Sequence, residues 1–239
     1  MFLHLTIYKY RVCSIVLHLV ECYAHTYNMD PTKLVTPFSM SLYGPRGVGK
    51  THFTLQLIQN QNRLIDSPFK KIVWIYKHHQ RLVFDQLYNG DFEIEFLNHI
   101  PNFSTWGHQP GTLVVLDDFM AQASNNEEVA NLFTTGRHLG ISVIYMVQNM
   151  FPKGKYSRDI SLNCDYGVSF KNVRDQSQIH YLARQMYPKN PEFLSWAYRK
   201  ATEKPYGYLF IDFKTNTKND FRLRRDLFGE YPIYFTEIL

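Results

Sequence analysis

A single eight-residue segment limits the folds open to this chain more than any other feature. Residues 44–51 read Gly-Pro-Arg-Gly-Val-Gly-Lys-Thr and match the pattern G-x-x-x-x-G-K-[ST] in full. An apolar run at 38–43 precedes the segment, and an apolar-periodic stretch at 50–61 follows it. The sequence therefore predicts a strand, a glycine-rich turn and a helix, an arrangement that wraps backbone N–H groups around phosphate oxygens.

Each residue type in this segment, the phosphate loop, suits a nucleoside triphosphate. The glycines allow the backbone to approach phosphate oxygens closely, and the start of the following helix adds partial positive charge. Lys50 would reach the β and γ phosphates, and the Thr51 hydroxyl would coordinate Mg²⁺. The sequence has no Asn-Lys-x-Asp guanine-recognition motif, so we expect the nucleotide to be ATP. The predicted nucleotide-binding residues are Gly44, Pro45, Arg46, Gly47, Val48, Gly49, Lys50 and Thr51.

A pair of carboxylates supplies the second half of the predicted site. Asp117 and Asp118 directly follow the apolar run 112–116. Asp117 would hold Mg²⁺ through its water shell, and Asp118 would orient or deprotonate the attacking water. Aspartate is also common where a strand simply ends in a polar turn. Two adjacent carboxylates in a chain with a complete phosphate loop nevertheless favour an enzyme that hydrolyses ATP.

Strands and helices alternate along most of the chain. Near-continuous apolar runs separated by helices predict an α/β fold with a mainly parallel central sheet covered by helices on both faces. The segment 71–88 lies between the phosphate loop and the Asp pair in chain order, which favours the RecA-like, additional-strand class of P-loop NTPases. The predicted strands cover 38–43, 71–76, 92–97, 112–116, 141–147, 166–170 and 206–213. The predicted helices cover 50–61, 80–88, 126–138, 175–187 and 191–202.

The chain of 239 residues, 45% of them hydrophobic, is long enough for one well-buried domain. We predict a single ATPase domain over 29–239, because Met29 opens a more regular segment, and a disordered or loosely packed N-terminal extension over 1–28. Lys9 and Arg11 interrupt the apolar character of that extension, which disfavours a membrane span and a secretory signal. Three dispersed cysteines without metal-ligand spacing indicate a reducing, intracellular compartment.

The segment 136–149 indicates which group of P-loop ATPases the chain resembles. Arg137 comes before Gly140-Ile141, which opens a buried run that ends in Gln148. This order resembles the FtsK–HerA superfamily of DNA-pumping ATPases. Within that superfamily, the short chain and the Asp pair are similar to the viral genome-packaging ATPases of poxvirus type and to their relatives in Maverick/Polinton transposons. The resemblance covers about residues 38–213.

The resemblance implies roles for two further residues. Gln148 corresponds to the polar sensor that reads the γ-phosphate, and Arg137 is the candidate arginine finger for the ATP of an adjacent subunit. A polar residue at the carboxyl end of a central strand does face the nucleotide crevice, and an arginine can neutralise the charge that develops in phosphoryl transfer. Alternatively, Gln148 simply ends a strand and Arg137 is a solvated charge at a helix C-terminus. The superfamily usually has Glu where this chain has the shorter Asp118.

A basic loop follows the Gln148 strand at 151–158. Lys153, Lys155 and Arg158 make it a candidate for gripping DNA phosphates, and its glycine favours mobility. A second basic stretch, Arg-Leu-Arg-Arg, lies at 222–225. The net charge of +5 permits an anionic partner, although each basic run is also typical of an ordinary solvated surface.

These features lead to one leading hypothesis and two alternatives. We predict a translocase that uses ATP and Mg²⁺ to package a viral or transposon double-stranded DNA genome into a capsid, working as a homo-oligomeric ring. Capsid proteins are candidate partners, and we expect no membrane association and a location at the virion assembly site in the host nucleus or cytoplasm. The first alternative is a helicase or remodelling ATPase, which would separate strands. The second is a non-motor ATP-dependent switch or assembly factor, whose slow turnover would not respond to DNA.

Overall fold

The structure is a computed structural model that describes residues 10–13, 32–77, 85, 87, 90–230 and 232–237. The strands are β1 (Tyr10–Cys13), β2 (Ser39–Tyr43), β3 (Lys71–Tyr76), β4 (Glu93–Leu97), β5 (Thr112–Asp117), β6 (Ile141–Val147), β7 (Tyr166–Phe170), β8 (Tyr208–Asp212), β9 (Leu223–Arg225) and β10 (Ile233–Glu237). The helices are α1 (Lys50–Gln59), α2 (Gln61–Leu64), α3 (Met120–Ala123), α4 (Glu127–Thr135), α5 (Ser157–Leu162), α6 (Ser177–Met186), α7 (Pro191–Ala201) and α8 (Asn219–Arg222). Short 3₁₀ turns cover Phe103–Thr105 and Gly136–Leu139.

These strands form one ten-stranded sheet in the order β1-β10-β9-β8-β7-β2-β6-β5-β3-β4. The strands from β7 to β4 in this order run parallel to one another. The remaining strands are added to β7 by successive antiparallel pairings. Helices or long connections link the parallel strands, as parallel pairing requires. The predicted α/β class with a mainly parallel central sheet is confirmed.

The additional strand, which defines this class of P-loop NTPases, is not the one expected from the order of strands along the chain. We expected the additional strand within 71–88, because this segment lies between the phosphate loop and the Asp pair in the sequence. In the sheet, however, β3 lies on the far side of β5, and β6 is inserted between β2 and β5. The register places Tyr43 opposite Val147 and Asp117 opposite Met146. The additional-strand class is as predicted, but the additional strand is β6 and not β3. After β5 the chain returns to the centre of the sheet, where β6 separates the strand before the phosphate loop from the strand that ends in the Asp pair.

The side chains of β6 explain why the sheet is buried on both faces. Val143, Tyr145 and Val147 join a hydrophobic cluster on one face, whereas Ile144 and Met146 join a cluster on the other. Helices α4, α6 and α7 contribute to the first cluster, and α1 contributes to the second. A strand covered on both faces needs apolar residues at nearly every position, which accounts for the near-continuous apolar run of β6.

Several elements were not predicted from the sequence. β9 and β10 extend the antiparallel side of the sheet, and α5 and α8 are short helices in segments without a predicted element. Short elements carry too few residues for a hydrophobic period to be visible. Of the helix predicted over 80–88, only Asp85 and Leu87 are described, and both are helical.

The predicted N-terminal extension is described only at 10–13, and its other residues lie outside the described ranges. Tyr10–Cys13 pairs antiparallel with β10, from Tyr10 opposite Glu237 to Cys13 opposite Tyr234, and so adds a strand to the sheet edge. The boundary at residue 29 and the loose packing of 1–28 stay predictions. Within the described part of the chain, no helix is long and apolar enough to cross a membrane.

Candidate active site

The phosphate loop connects β2 to α1 at the carboxyl end of the parallel strands. Gly44 donates its N–H to the carbonyl of Val147 at 3.1 Å, which ties the start of the loop to β6. Gly47 and Gly49 have φ angles of 77° and 105°, in the left-handed region that glycine adopts at little cost. Gly49 is the N-cap of α1, so the loop ends directly at the N-terminus of a helix, where phosphate groups bind favourably.

Lys50, the first residue of α1, folds back over this loop. Its Nζ donates to the carbonyl oxygens of Gly44 at 2.6 Å and Pro45 at 2.8 Å. Burial lowers the pKa of Lys50, while the charges of Asp117 and Asp118 act in the opposite direction. The half-buried ammonium group therefore lies within electrostatic reach of both carboxylates.

The Asp pair marks the end of β5. Asp117 is the last residue of that strand and is only 6% exposed, and it stands opposite Met146 of β6 and Tyr76 of β3. Asp118 follows with a φ of 62°, which is uncommon for a residue other than glycine and costs roughly 1–2 kcal/mol. Backbone strain of this kind concentrates at functional sites, where the surrounding fold holds it. The strained turn therefore supports a role for Asp118 in the site.

Gln148 follows β6 immediately and completes the group. Its Nε2 donates to Oδ1 of Asp118 at 3.5 Å, a long hydrogen bond. Gln148 also lines a small cleft together with Gly44 of the phosphate loop. The structure thus brings Lys50, Asp117, Asp118 and Gln148 to the carboxyl edge of β2, β5 and β6, where ligands bind in open α/β sheets.

Polar residues on α6 and α7 hold the segments that follow β6 and β7. Gln178 accepts a hydrogen bond from the Met150 N–H at 2.7 Å and donates one to Asp175. Tyr198 accepts a hydrogen bond from the Asn172 N–H at 2.8 Å. Sequence reasoning missed these residues, because each is an ordinary polar side chain on a helix and acquires its partner only when that helix packs on the sheet.

Arg137 lies at the opposite edge of the sheet. It belongs to the 3₁₀ turn before β6, whereas Gln148 follows β6, and a strand of 7 residues spans roughly 23 Å. Its side chain is 58% exposed, and the guanidinium pairs with Asp165 at 2.6 Å. A cleft of about 640 Å³ opens beside Arg137 and is also lined by Ser39 and Lys214. The structure does not bring Arg137 to the site of its own subunit, and its role in a neighbouring site stays a prediction.

The cations predicted to contact DNA lie on the surface. Lys153 and Lys155 are exposed in the loop that follows β6. Arg158 is also exposed, but it belongs to α5 and not to the loop. The ammonium group of Lys155 lies 4.7 Å from the centroid of the Tyr156 ring, and a hydrogen bond with Tyr156 raises the pKa of Lys155. Both lysines of the loop are therefore available to an anionic partner.

The basic loop is fastened to the segment that follows the Asp pair. Tyr156 donates its N–H to the Ser124 carbonyl, and Lys155 donates its N–H to Oδ1 of Asn125, both at 3.0 Å. Gly154 packs so closely that a Cβ atom added there would lie 2.5 Å from Cβ of Ser124. The glycine therefore permits a close contact, in contrast to the mobility expected from its presence in a loop.

The second basic stretch, 222–225, lies largely inside the fold. Arg224 in β9 is 1% exposed, and its guanidinium lies 4.5 Å from the centroid of the Phe210 ring and 4.0 Å from Asp212. Arg222 donates to the backbone carbonyls of Asp212 and Lys214 at 2.7 and 3.1 Å. The interpretation of this stretch as a DNA-contacting surface is wrong for Arg224, because its position in β9 turns the side chain inward.

Fold and site together define an ATP-hydrolysing P-loop NTPase of the additional-strand class. A family model described as "Poxvirus A32 protein" matches residues 24–186, which is more than half of the chain. The chain belongs to this family. The match confirms the resemblance to the poxvirus-type ATPases that the sequence motifs indicated.

Two solved structures of one viral protein have a similar fold. The genome packaging NTPase B204 from Sulfolobus turreted icosahedral virus 2 in complex with sulfate matches with a TM-score of 0.50 and 12% identity, covering 85% of this chain and 98% of that chain. The same NTPase in complex with AMPPCP matches with a TM-score of 0.50 and 13% identity, covering 79% of this chain and 96% of that chain. At these identities the likeness shows the fold. A comparison with curated proteins finds no match.

Proposed function

We propose that the chain couples ATP hydrolysis to the movement of double-stranded DNA into a viral capsid. The observation that carries this proposal is the contact between Asp118 and Gln148, because the segments that follow these two residues are fastened together into one surface. That surface bears Lys153 and Lys155. Only a few residues of backbone therefore separate Gln148, which would lie at the γ-phosphate, from the cations that would bind DNA. Membership of the poxvirus A32 family supports the packaging role.

Mg²⁺ is the metal that suits this site. Thr51 lies in the first turn of α1 and Asp117 at the buried end of β5, and hydroxyl and carboxylate oxygens are ligands that Mg²⁺ prefers. Among the described residues, no group of three or more His, Cys, Asp and Glu side chains could hold a metal ion. This fits a cation held by one or two protein oxygens together with water and phosphate. Bound there, Mg²⁺ would neutralise charge on the β and γ phosphates.

Asp118 and Gln148 would act on the attacking water. The Asp118 carboxylate orients the water or accepts its proton, and the Gln148 amide, 3.5 Å away, positions the same water against the γ-phosphate. Lys50 would exchange the carbonyl oxygens of Gly44 and Pro45 for phosphate oxygens, because a phosphate carries the negative charge that a carbonyl lacks.

The basic loop would transmit the state of the nucleotide to DNA. Hydrogen bonds from Lys155 and Tyr156 join the segment after β6 to the segment after β5. Ser124, which accepts one of these bonds, also contacts the hydroxyl of Tyr145 in β6 at 3.4 Å. When the γ-phosphate is lost, a change in the Asp–Gln contact would therefore move both segments together, with the cations that the loop carries.

The position of Arg137 supports an assembly of several copies. Because it lies about one strand length from its own nucleotide site, it could act only on the nucleotide of another subunit. A head-to-tail contact between copies closes into a ring where the rotation allows it. Such a ring would surround a channel lined by repeated basic loops, which suits contacts with the DNA backbone. The capsid would be its docking partner, and the virion assembly site would be its location.

Steady-state ATP hydrolysis with and without long duplex DNA tests the proposal. We expect duplex DNA at low salt to stimulate the wild-type protein strongly, and Lys50→Ala to abolish turnover under both conditions. Raising the salt from about 50 to about 200 mM should reduce the stimulation steeply, because contacts with phosphates are weakened by counterions. Displacement of a third strand from a DNA triplex, without separation of the duplex, would report movement along DNA.

Two other outcomes would favour the alternative functions. Separation of the duplex strands would identify a helicase or remodelling ATPase. Slow hydrolysis that does not respond to duplex DNA would identify a switch or assembly factor, provided that addition of the capsid protein leaves the rate unchanged.

A further inference from the structure

An aromatic cavity of about 410 Å³ opens beside the phosphate loop. Its wall includes Gly49, so the cavity and the loop share a boundary. Phe53 of α1 packs against Tyr208 and Phe228, with ring centroids 4.9 and 5.0 Å apart. These edge-to-face contacts are a favourable arrangement for aromatic pairs. The aromatic cavity therefore has an apolar lining built largely from aromatic side chains.

Tyr206 also lines the aromatic cavity and is 72% exposed. Its φ of 60° places it in the left-handed region, in a turn closed by a hydrogen bond from the Gly207 N–H to the Lys204 carbonyl at 3.0 Å. A Cβ atom added to Gly49 would lie 3.5 Å from Cδ1 of Tyr206, so the ring lies beside the phosphate loop. A strained turn that holds an exposed ring next to a phosphate site contributes little to core packing and suits contact with a ligand.

Two polar side chains of α1 border the same cavity. His52 and Gln56 are one helical turn apart and lie on the same face of the helix. The amide of Gln56 has a donor and an acceptor side by side, which complements the N6 and N7 groups of adenine. Guanine presents acceptors at both of the corresponding positions. The cavity thus combines an aromatic surface with a polar edge that suits adenine.

We propose that the aromatic cavity holds the adenine base of the nucleotide whose phosphates bind to the loop. The ring of Tyr206 stacks on the base, and the amide of Gln56 bonds to its edge. The base is joined to the phosphates through the ribose, so it must lie next to the loop, and the shared boundary at Gly49 meets this condition. The inference rests on the nucleotide role of the phosphate loop and adds the residues that select the base.

Calorimetric titrations with ADP and with pyrophosphate, both with Mg²⁺ present, separate binding of the base from binding of the phosphates. We expect Tyr206→Ala to weaken ADP binding about 10-fold, through loss of stacking, and to leave pyrophosphate binding unchanged. Tyr206→Phe should retain ADP binding because it keeps the ring. Tyr181→Ala is the matched control, since Tyr181 is also an exposed tyrosine, at 55%, and does not line the cavity.

Lys50→Ala tests the phosphate loop separately, because it should weaken both ligands. Unchanged ADP affinity in Tyr206→Ala, or equal losses for ADP and pyrophosphate, would overturn the base site and leave the role of the loop intact. Gln56→Leu tests recognition of the base edge. We expect the ratio of ATP to GTP affinity to fall several-fold, and an unchanged ratio would remove Gln56 from base recognition.

Discussion

Gly154 offers the sharpest test of the coupling between the ATP site and the basic loop. In Gly154→Ala, the new Cβ atom would lie 2.5 Å from Cβ and 2.6 Å from the carbonyl oxygen of Ser124. Carbon atoms in contact are separated by about 3.5 Å or more, so the loop would have to withdraw by about 1 Å. Because the oxygen belongs to the backbone, a change of side-chain rotamer at Ser124 cannot relieve the clash.

Such a withdrawal breaks the hydrogen bonds that fasten the loop. The Tyr156 N–H to Ser124 carbonyl bond and the Lys155 N–H to Asn125 bond are both 3.0 Å long. Each bond of this kind contributes about 0.5–1.5 kcal/mol, and overpacking costs about 1–3 kcal/mol. We therefore expect Gly154→Ala to destabilise the fastened loop by about 1–3 kcal/mol, which lowers the ratio of fastened to released loop about 5- to 150-fold.

We expect Gly154→Ala to retain ATP binding and basal hydrolysis and to lose most of the stimulation by duplex DNA. The assay is steady-state hydrolysis with and without DNA, accompanied by a nucleotide titration. Gly107→Ala is the matched control, because a Cβ atom at Gly107 meets no atom within 4 Å. Full stimulation in Gly154→Ala, or an equal loss of basal and stimulated hydrolysis, would refute the coupling.

Three further predictions concern the active site and its neighbour. Asp118→Asn should lower the rate of ATP hydrolysis about 10²- to 10⁴-fold while ATP still binds. Asp118→Gly should lower the rate in the same way. It should in addition raise the free energy of unfolding in urea by about 1 kcal/mol, since glycine adopts a φ of 62° without strain. The Arg137→Ala protein and the Lys50→Ala protein should each be inactive in ATP hydrolysis. A mixture of the two should regain hydrolysis, because a Lys50→Ala subunit can supply Arg137 to the intact phosphate loop of an Arg137→Ala subunit. If the two proteins assemble together and the mixture stays inactive, action across subunits is contradicted. Burial lowers the pKa of Lys50 in the folded chain below its ordinary value of 10.5. At pH values just below 10.5 the unfolded chain therefore binds more protons than the folded chain. The free energy of unfolding should consequently rise as the pH increases toward 10.5. Urea unfolding at successive pH values should show a flatter rise for Lys50→Met, and an unchanged slope would exclude Lys50 as its source.

The local sequence predicted which residues the fold brings together at the centre of the candidate site. The phosphate loop works through consecutive residues, so its pattern at 44–51 contains most of its geometry. Asp117, Asp118 and Gln148 each follow a buried apolar run, and the carboxyl ends of parallel strands meet at one edge of the sheet. The order of strands in the sheet does not follow from such local signals, since β6 could be located between β2 and β5 only from its pairing.

The positions of the basic side chains could not be predicted from the sequence, because they depend on contacts with residues that are distant in the chain. Gly154 in a lysine-containing segment has the composition of a flexible loop, yet it packs against Ser124, which lies 30 residues earlier. Arg224 belongs to a run with the composition of a basic surface, yet its guanidinium is buried against the ring of Phe210. In both cases the packing of one element on another overrides what composition indicates, and only the folded chain contains that information.

The pairing of Arg137 with Asp165 bears on how one subunit could act on the next. The Arg137 side chain is 58% exposed, and exposed ion pairs contribute about 0–1 kcal/mol. Asp165 also has another partner, because its Oδ2 accepts the Ser39 N–H at 2.9 Å. Release of Arg137 would therefore cost little and leave Asp165 hydrogen-bonded, whereas a phosphate in a neighbouring site would offer a more highly charged, bidentate acceptor. The ion pair keeps Arg137 at the edge of the subunit without binding it tightly, which is what an arginine needs if it is to act across an interface.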